Sequence, residues 1–417
     1  MENRRRLAAL LEPRSLAVVN ANDVLPTNAD GTLPLQPNSD LFYLTGIEQE
    51  ETVLVLAPDA FEERHREMLF LRQPDARLKT WEGHKLSPEE ATRISGVKQV
   101  RWLSELPTEL HRLMCEMEHV YLNSNEHPRA VIEVESRDAR FVRELQRRYP
   151  LHDYRRLARL MNRLRVVKSP VEVDLIRQAC ALTARGFARV LRFVRPGVNE
   201  CEVEAELAHE FIRGRGRFAY PPIIAAGANS CVLHYNQNDQ VCRRGEVLLV
   251  DAAASYANYN ADLTRTLPVS GRFTRRQRQV YDAVLRTLRA MIRAAVPGKL
   301  HRDWQREAEE RLTEECLRLG LVSPREVRRQ DPDRPAVKKY FMHGLGHVIG
   351  LDVHDVGFMN EPFAPGWVLT VEPGLYLPRE GFGVRLENLV LITAEGPVDL
   401  LADVPLEAEA IEAAMRR

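Results

Sequence analysis

The sequence predicts an α+β protein of two domains, a smaller N-terminal α/β domain over residues 1–163 and a larger domain over 164–417. Three observations carry that reading. Up to about residue 160, short apolar runs alternate with amphipathic stretches, the signature of strands interleaved with helices. Near residue 169 a helix-start signal opens a long helical stretch. Beyond it, further helices are separated by pairs of apolar runs joined through turn residues, as in hairpins.

Taken in order, "SLAVVNA", "ETVLVLAP", "REMLFLR" and "HVYLN" read as buried strands, while "SPEEATRIS" and "RDARFVRELQRRY" read as helices. The second domain announces itself at "KSPVEVDLIRQACALTARGFARVLRFVRPG". Ser169 is placed to cap, Pro170 suits the first helical position, Glu172 follows, and "RPG" ends the stretch. Helices are expected over 200–214, 275–294 and 301–319, and the charged "REVRRQDPDRPAVKK" reads as a solvated loop.

Composition excludes several classes. Lys+Arg and Asp+Glu each number 59, so net charge gives no support to a nucleic-acid or membrane-surface partner. No run approaches 18 continuous apolar residues, and the apolar run in "MENRRRLAALLEPRS" is too short for a signal peptide, so a cytoplasmic protein is expected. The six cysteines (Cys115, Cys180, Cys201, Cys231, Cys242, Cys316) form no C-x-x-C pair and read as reduced core thiols.

Chemistry concentrates in "FMHGLGHVIGLDVHDVG", which holds His343, His347 and His354 of a total of 12 histidines. Two histidines four residues apart suggest a helical zinc-protease motif, but that motif needs glutamate after the first. Here Gly344 stands there, and three glycines within seven residues make a helix costly, at about 1 kcal/mol each. The segment reads as loop and strand.

Carboxylates supply the rest. In "EVLLVDAAASYANYNADLTRTLPV", a hairpin folded about Tyr256 and Ala257 opposes Asp251 to Asp262. In "WVLTVEPGLYLPREGFGVRLENLVLIT", a turn at "PREG" opposes Glu372 to Glu387, with irregular pairing expected beside Pro373. One facing acidic pair could be a surface accident. Two pairs on strongly apolar strands call for cations, because facing carboxylates repel unless a proton or cation lies between them. An oxygen-rich set with imidazole suits Mn²⁺, Fe²⁺, Co²⁺ or Zn²⁺, and two divalent ions would neutralise four carboxylates. The residues by themselves point to a dinuclear metal hydrolase.

With those stretches assembled, and with "VLHYNQND" and the N-terminal "PNSDLFYLTGIEQEETVLVL" and "TWEGHKL", the chain resembles the pita-bread metallopeptidases, in their aminopeptidase P branch, close to prolidase. The resemblance spans nearly the whole chain. It implies a C-terminal pita-bread catalytic domain (164–417) behind an aminopeptidase P-like N-terminal domain (1–163).

The resemblance also implies roles. Asp251, Asp262, His347, Glu372 and Glu387 would be the metal ligands, with Asp262 and Glu387 bridging two divalent ions, Mn²⁺ first among Co²⁺, Fe²⁺ and Zn²⁺. Glu372 would also take the proton from the bridging water. His234, His343 and His354 would line the substrate site, with His354 on the developing oxyanion. Arg385 and Tyr376 match substrate-binding positions, as do Trp81 and Asp40, which could serve a neighbouring subunit in a homodimer or homotetramer. Departures from the family pattern are Ala253 and Asn258 in the first hairpin, and Asn388 after the last ligand. The implied activity is release of the N-terminal residue from Xaa-Pro peptides. The alternatives are a prolidase restricted to dipeptides and a catalytically silent peptide-binding protein. The other eight histidines (His65, His84, His111, His119, His127, His152, His209, His301) read as ordinary surface or core residues.

Overall fold

In the computed structural model, residues 1–131, 133–331 and 333–416 are described. The chain forms two compact units, Met1–Arg165 and Val166–Arg417.

The N-terminal unit is built on strands β1 (Ser15–Asn20), β2 (Val53–Leu56), β3 (Glu67–Leu71), β4 (Gln99–Trp102), β5 (His119–Leu122) and β6 (Asp153–Arg156). They make one mixed sheet in the order β4-β3-β2-β1-β5-β6. The apolar runs are its centre, because residues buried on both faces must be apolar throughout. Leu16, Val18, Val53, Val55, Met68 and Phe70 share one face, which packs on Leu113 of helix Leu106–Glu116 and Leu145 of helix Arg137–Arg148. Sequence reading missed β4 and β6. Both are edge strands whose residues are largely half-buried or exposed, so they lack the apolar run that betrays the others.

The C-terminal unit opens with helix Pro170–Phe193, where Ser169 and Glu172 form a reciprocal capping box. Helices follow over Glu200–Arg213, Arg275–Ala294 and His301–Arg318, close to the predicted spans. The stretch expected to be a solvated loop starts instead as the short helix Pro324–Arg329. Ser323 and Glu326 cap it reciprocally; Pro332, farther along, lies outside the described residues.

The first acidic hairpin runs through β7 (Val247–Asp251), β8 (Ala254–Tyr256), β9 (Tyr259–Asn260) and β10 (Thr264–Pro268). Its register corrects the sequence reading. Asp251 faces Thr264, not Asp262, and Tyr256 faces Tyr259. The turn is centred on Ala257 and Asn258, at φ 47° and 66°, the left-handed pair that a two-residue hairpin turn requires. Shifting the partner by two residues preserves the face, since side chains alternate with period two. Asp251 and Asp262 therefore remain neighbours, displaced along the strands. The long helix holds this hairpin: the Ala254 N–H donates to Thr183 Oγ1 (2.9 Å), and the Tyr259 hydroxyl to Glu172 Oε1 (3.1 Å).

The second acidic hairpin comprises β11 (Val368–Val371), β12 (Gly374–Leu377), β13 (Phe382–Arg385) and β14 (Asn388–Thr393). Val371 faces Asn388 and Gly374 faces Arg385, so Glu372 and Glu387 occupy opposed positions in the gap between two ladders. That gap is the irregularity expected beside Pro373.

Candidate metal centre

Both hairpins bring their carboxylates to one place. Asp251, Asp262 and Glu387 are buried, at 9%, 5% and 2% exposure. Ligand atoms of Asp262, His347 and Glu387 all lie within 4.8 Å of one another, the set among the described residues that is compact enough for a cation. Glu372 adjoins it, with Oε1 3.7 Å from His347 Nε2.

The histidine segment reaches this centre by lying along β11. His347 N–H donates to Thr370 Oγ1 (2.9 Å), and Thr370 N–H returns a bond to the His347 carbonyl (2.9 Å). The strand expected in this segment shrinks to a single bridge, Val348 with Leu369; the rest is loop. Gly346 permits the approach, for a Cβ there would sit 2.0 Å from the Thr370 carbonyl oxygen. His347 Nδ1 lies 3.1 Å from the Val348 carbonyl, which can only accept. The proton is thus on Nδ1 and the lone pair on Nε2, facing Asp262 Oδ2 at 3.6 Å.

Electrostatics match a cation site. Burial, then the Asp251 charge, pushes the Asp262 carboxyl well above its ordinary range. Burial, then Asp262, does the same for Glu387. Such carboxylates hold protons unless a cation replaces them. Carboxylate oxygens with one imidazole nitrogen form a donor set suited to first-row divalent ions, so the residues present fit a metal.

Two residues that sequence reading passed over belong to the site. The Tyr220 hydroxyl donates to Asp251 Oδ1 at 2.6 Å and also contacts Asp262. Burial and the neighbouring carboxylates push its ionisation far up, so it stays a donor. Thr264 Oγ1 donates to Glu387 Oε2 (2.7 Å). For Tyr220 no local signal exists, because it lies 31 positions before Asp251 outside either hairpin. Thr264 becomes visible only once the hairpin register is known.

Arg385 is buried and donates to Asp251 Oδ2 (2.5 Å), Tyr376 Oη (2.7 Å) and Thr264 Oγ1 (3.2 Å). Tyr376 Oη and His343 Nε2 are 2.8 Å apart, and His343 Nδ1 lies 2.8 Å from the Gly344 carbonyl. Since that carbonyl can only accept, donation runs from Arg385 to Tyr376 to His343 to Gly344. Burial, then the Arg385 charge, lowers His343 to about 3, leaving its ring neutral. Burial raises Tyr376 to about 12.

His354 is exposed, with its ring edge-on to His347 at 4.3 Å. His234 is exposed on the turn after Cys231. Asp40 and Trp81 belong to the N-terminal unit. There Asp40 accepts from Arg165 (2.8 Å) and Asn123 (2.7 Å), while Trp81 is 76% exposed on helix Ala76–Glu82. All six cysteines are free, as expected, but only Cys180, Cys242 and Cys316 are buried in the core; Cys115 and Cys201 lie on exposed faces of their helices, where no apolar neighbour covers the thiol. Among the described residues no helix is long and apolar enough to cross a membrane.

Residues 174–394 match the model of metallopeptidase family M24, and residues 1–121 match that of the aminopeptidase P N-terminal domain. The chain is similar to a Xaa-Pro aminopeptidase of Escherichia coli, 35% identical over 99% of this chain and 97% of that protein. It is also similar to a Xaa-Pro aminopeptidase of Haemophilus influenzae, 33% identical over 99% and 95%. The structure of zinc-substituted E. coli aminopeptidase P in complex with product superposes with a TM-score of 0.87 at 34% identity, covering 99% of this chain and 97% of that one.

Proposed function

The chain belongs to metallopeptidase family M24 and begins with an aminopeptidase P N-terminal domain, and on that premise we propose that it is a metal-dependent exopeptidase releasing the N-terminal residue from peptides with proline second. The observation that carries the reading is the convergence of Asp262, His347 and Glu387, with Asp251 and Glu372 beside them. These five side chains would hold two divalent ions, Mn²⁺ first, with Co²⁺, Fe²⁺ or Zn²⁺ as alternatives. When bound, the ions supply the Lewis acidity that makes water a nucleophile near neutral pH.

The chain's own groups do the rest. Glu372, its carboxylate 20% exposed and 3.8 Å from His343 Nδ1, accepts the proton of the attacking water. Tyr220 and Thr264 fix the directions in which Asp251, Asp262 and Glu387 present their oxygens. His354 donates to the oxygen that gains charge at the scissile carbonyl, and His234 and His343 line the substrate's path. Asp40 and Trp81 are proposed to contact substrate bound by a neighbouring subunit, with a cytoplasmic homodimer or homotetramer as the working form.

Arg385 bears on substrate length. A prolidase must pair a cation with the carboxylate of proline itself, whereas Arg385 already donates to Asp251, Tyr376 and Thr264. This supports an enzyme that lets the peptide continue beyond proline. Tripeptides of Xaa-Pro-Yaa type are therefore expected to be cleaved, and amidating their C-terminus should cost less than about tenfold in kcat/KM. A metal-supplemented peptide panel tests this. Activity confined to free Xaa-Pro dipeptides would replace the reading with prolidase, and inertness toward every Xaa-Pro peptide would leave a binding protein.

Division of labour among the histidines has its own check. His354→Ala and His234→Ala should each lower kcat/KM with metal stoichiometry at the wild-type level, while His347→Ala weakens metal binding. Elemental analysis showing the reverse, metal lost from His354→Ala and kept by His347→Ala, would exchange their roles.

A further inference from the structure

Lys168 and Asp355 form an ion pair 187 residues apart in sequence, with Nζ to Oδ2 at 2.9 Å and side chains 1% and 2% exposed. Neither has been assigned a part in the chemistry. A pair this deeply buried is poor evidence for stability, since desolvating both charges offsets most of their attraction. Its geometry offers another reason to exist.

Asp355 directly follows His354 in the loop that carries the imidazoles. Its N–H donates to the Val348 carbonyl (2.9 Å), and its Oδ1 accepts from the Val356 N–H (2.9 Å). Lys168 is itself anchored, its N–H donating to the Gly366 carbonyl (2.8 Å), two residues before β11. The backbone passes over the pair at Gly350, where a Cβ would lie 2.3 Å from Asp355 Oδ2 and 2.9 Å from Lys168 Cε. Asn260 Nδ2 also donates to the carbonyls of Gly350 (3.1 Å) and Leu351 (2.9 Å). The loop lacks helix or strand of its own, so these contacts anchor the backbone that carries His354. That ring then packs on His347 at 4.3 Å.

We infer that Lys168 and Asp355 are positioning residues whose buried ion pair pins the loop between His347 and His354, and so aims His354 at the reacting carbonyl. The inference rests on the role given to His354 above. Polar contacts aimed at developing charge lose much of their effect when displaced, because their value lies in being preorganised.

A double-mutant cycle separates positioning from simple support of the fold. Asp355→Asn keeps the side chain's size and its acceptor for Val356 but removes the charge facing Lys168. It should lower kcat about tenfold or more in the wild-type background and less than about twofold in the His354→Ala background, because residues acting through one another are not additive. Metal content should stay at the wild-type level in all variants. Nitrogen-labelled histidine NMR of the metal-stripped protein should show the His354 ring signals displaced by Asp355→Asn and those of His234 unchanged. Should Asp355→Asn fail to fold, Lys168→Met with Asp355→Leu, an apolar pair, takes its place in the same cycle. Equal losses in both backgrounds, or wild-type kcat in the pair variants, would overturn the inference while leaving the exopeptidase reading intact. A silent His354→Ala would overturn the role given to His354, and the inference with it.

Discussion

Glu372→Gln lowers kcat by about 10²–10⁴-fold, the range typical of a lost general base. The carboxylate stands between two imidazoles, Oε1 3.7 Å from His347 Nε2 and Oε2 3.8 Å from His343 Nδ1. His343 is held neutral, so it leaves the proton-accepting task to Glu372. Glutamine preserves shape while weakening both proposed functions, metal ligation and proton acceptance. Steady-state kinetics alongside metal analysis tests this. A variant that keeps metal and more than about a tenth of wild-type kcat contradicts the assignment.

Removing metal has the second large effect: chelation abolishes turnover, and the stripped protein loses stability as pH rises. The sign follows from Asp262 and Glu387, whose carboxyls are pushed up by burial and then by a neighbouring carboxylate, Asp251 for Asp262 and Asp262 for Glu387. Folded, metal-free protein keeps protons that the unfolded chain has released, so unfolding is favoured as pH climbs toward the raised values. Histidines act oppositely at lower pH. Burial lowers His343 to about 3 and also lowers His301, which adds stability as pH rises to the ordinary histidine value. That contribution fades within about one pH unit above the ordinary histidine value of about 6.5, and burial of the N-terminal amine, which lowers it from 8.0, adds a smaller rise, so the two carboxyls give the net slope its falling sign.

Between about pH 6.5 and 8 the melting temperature of stripped protein should therefore fall. The rise produced by added Mn²⁺ should grow over the same interval, since metal binding displaces those protons. Asp262→Asn with Glu387→Gln should flatten both trends. A stripped protein whose melting temperature climbs through this window, with a metal-induced shift independent of pH, would mean that the carboxyls are not proton-laden in the absence of metal.

Much of the architecture was legible because it rests on local rules. The helix after Ser169 starts where a capping serine, a proline and a glutamate stand in the required order. The central strands of the N-terminal sheet show as apolar runs because both their faces are buried. The opposition of Glu372 and Glu387 follows from counting outward from one turn, and the 374–385 ladder keeps that count. The same counting failed by two positions at Asp251, because the turn centre depends on which residues take positive φ, here Ala257 and Asn258.

By itself, the sequence determined which hairpins bear the carboxylates and which loop carries the imidazoles, since residue type and period-two alternation are written locally. Only the tertiary structure decided what surrounds them. Tyr220 on Asp251, Thr264 on Glu387, Arg385 on Asp251 and Lys168 under Asp355 each join residues between 31 and 187 positions apart. No local periodicity records such pairings. They exist because folding buries charges that must then find a partner of opposite sign or a hydrogen bond, and which partner is within reach depends on how the hairpins, the histidine loop and the long helix pack together.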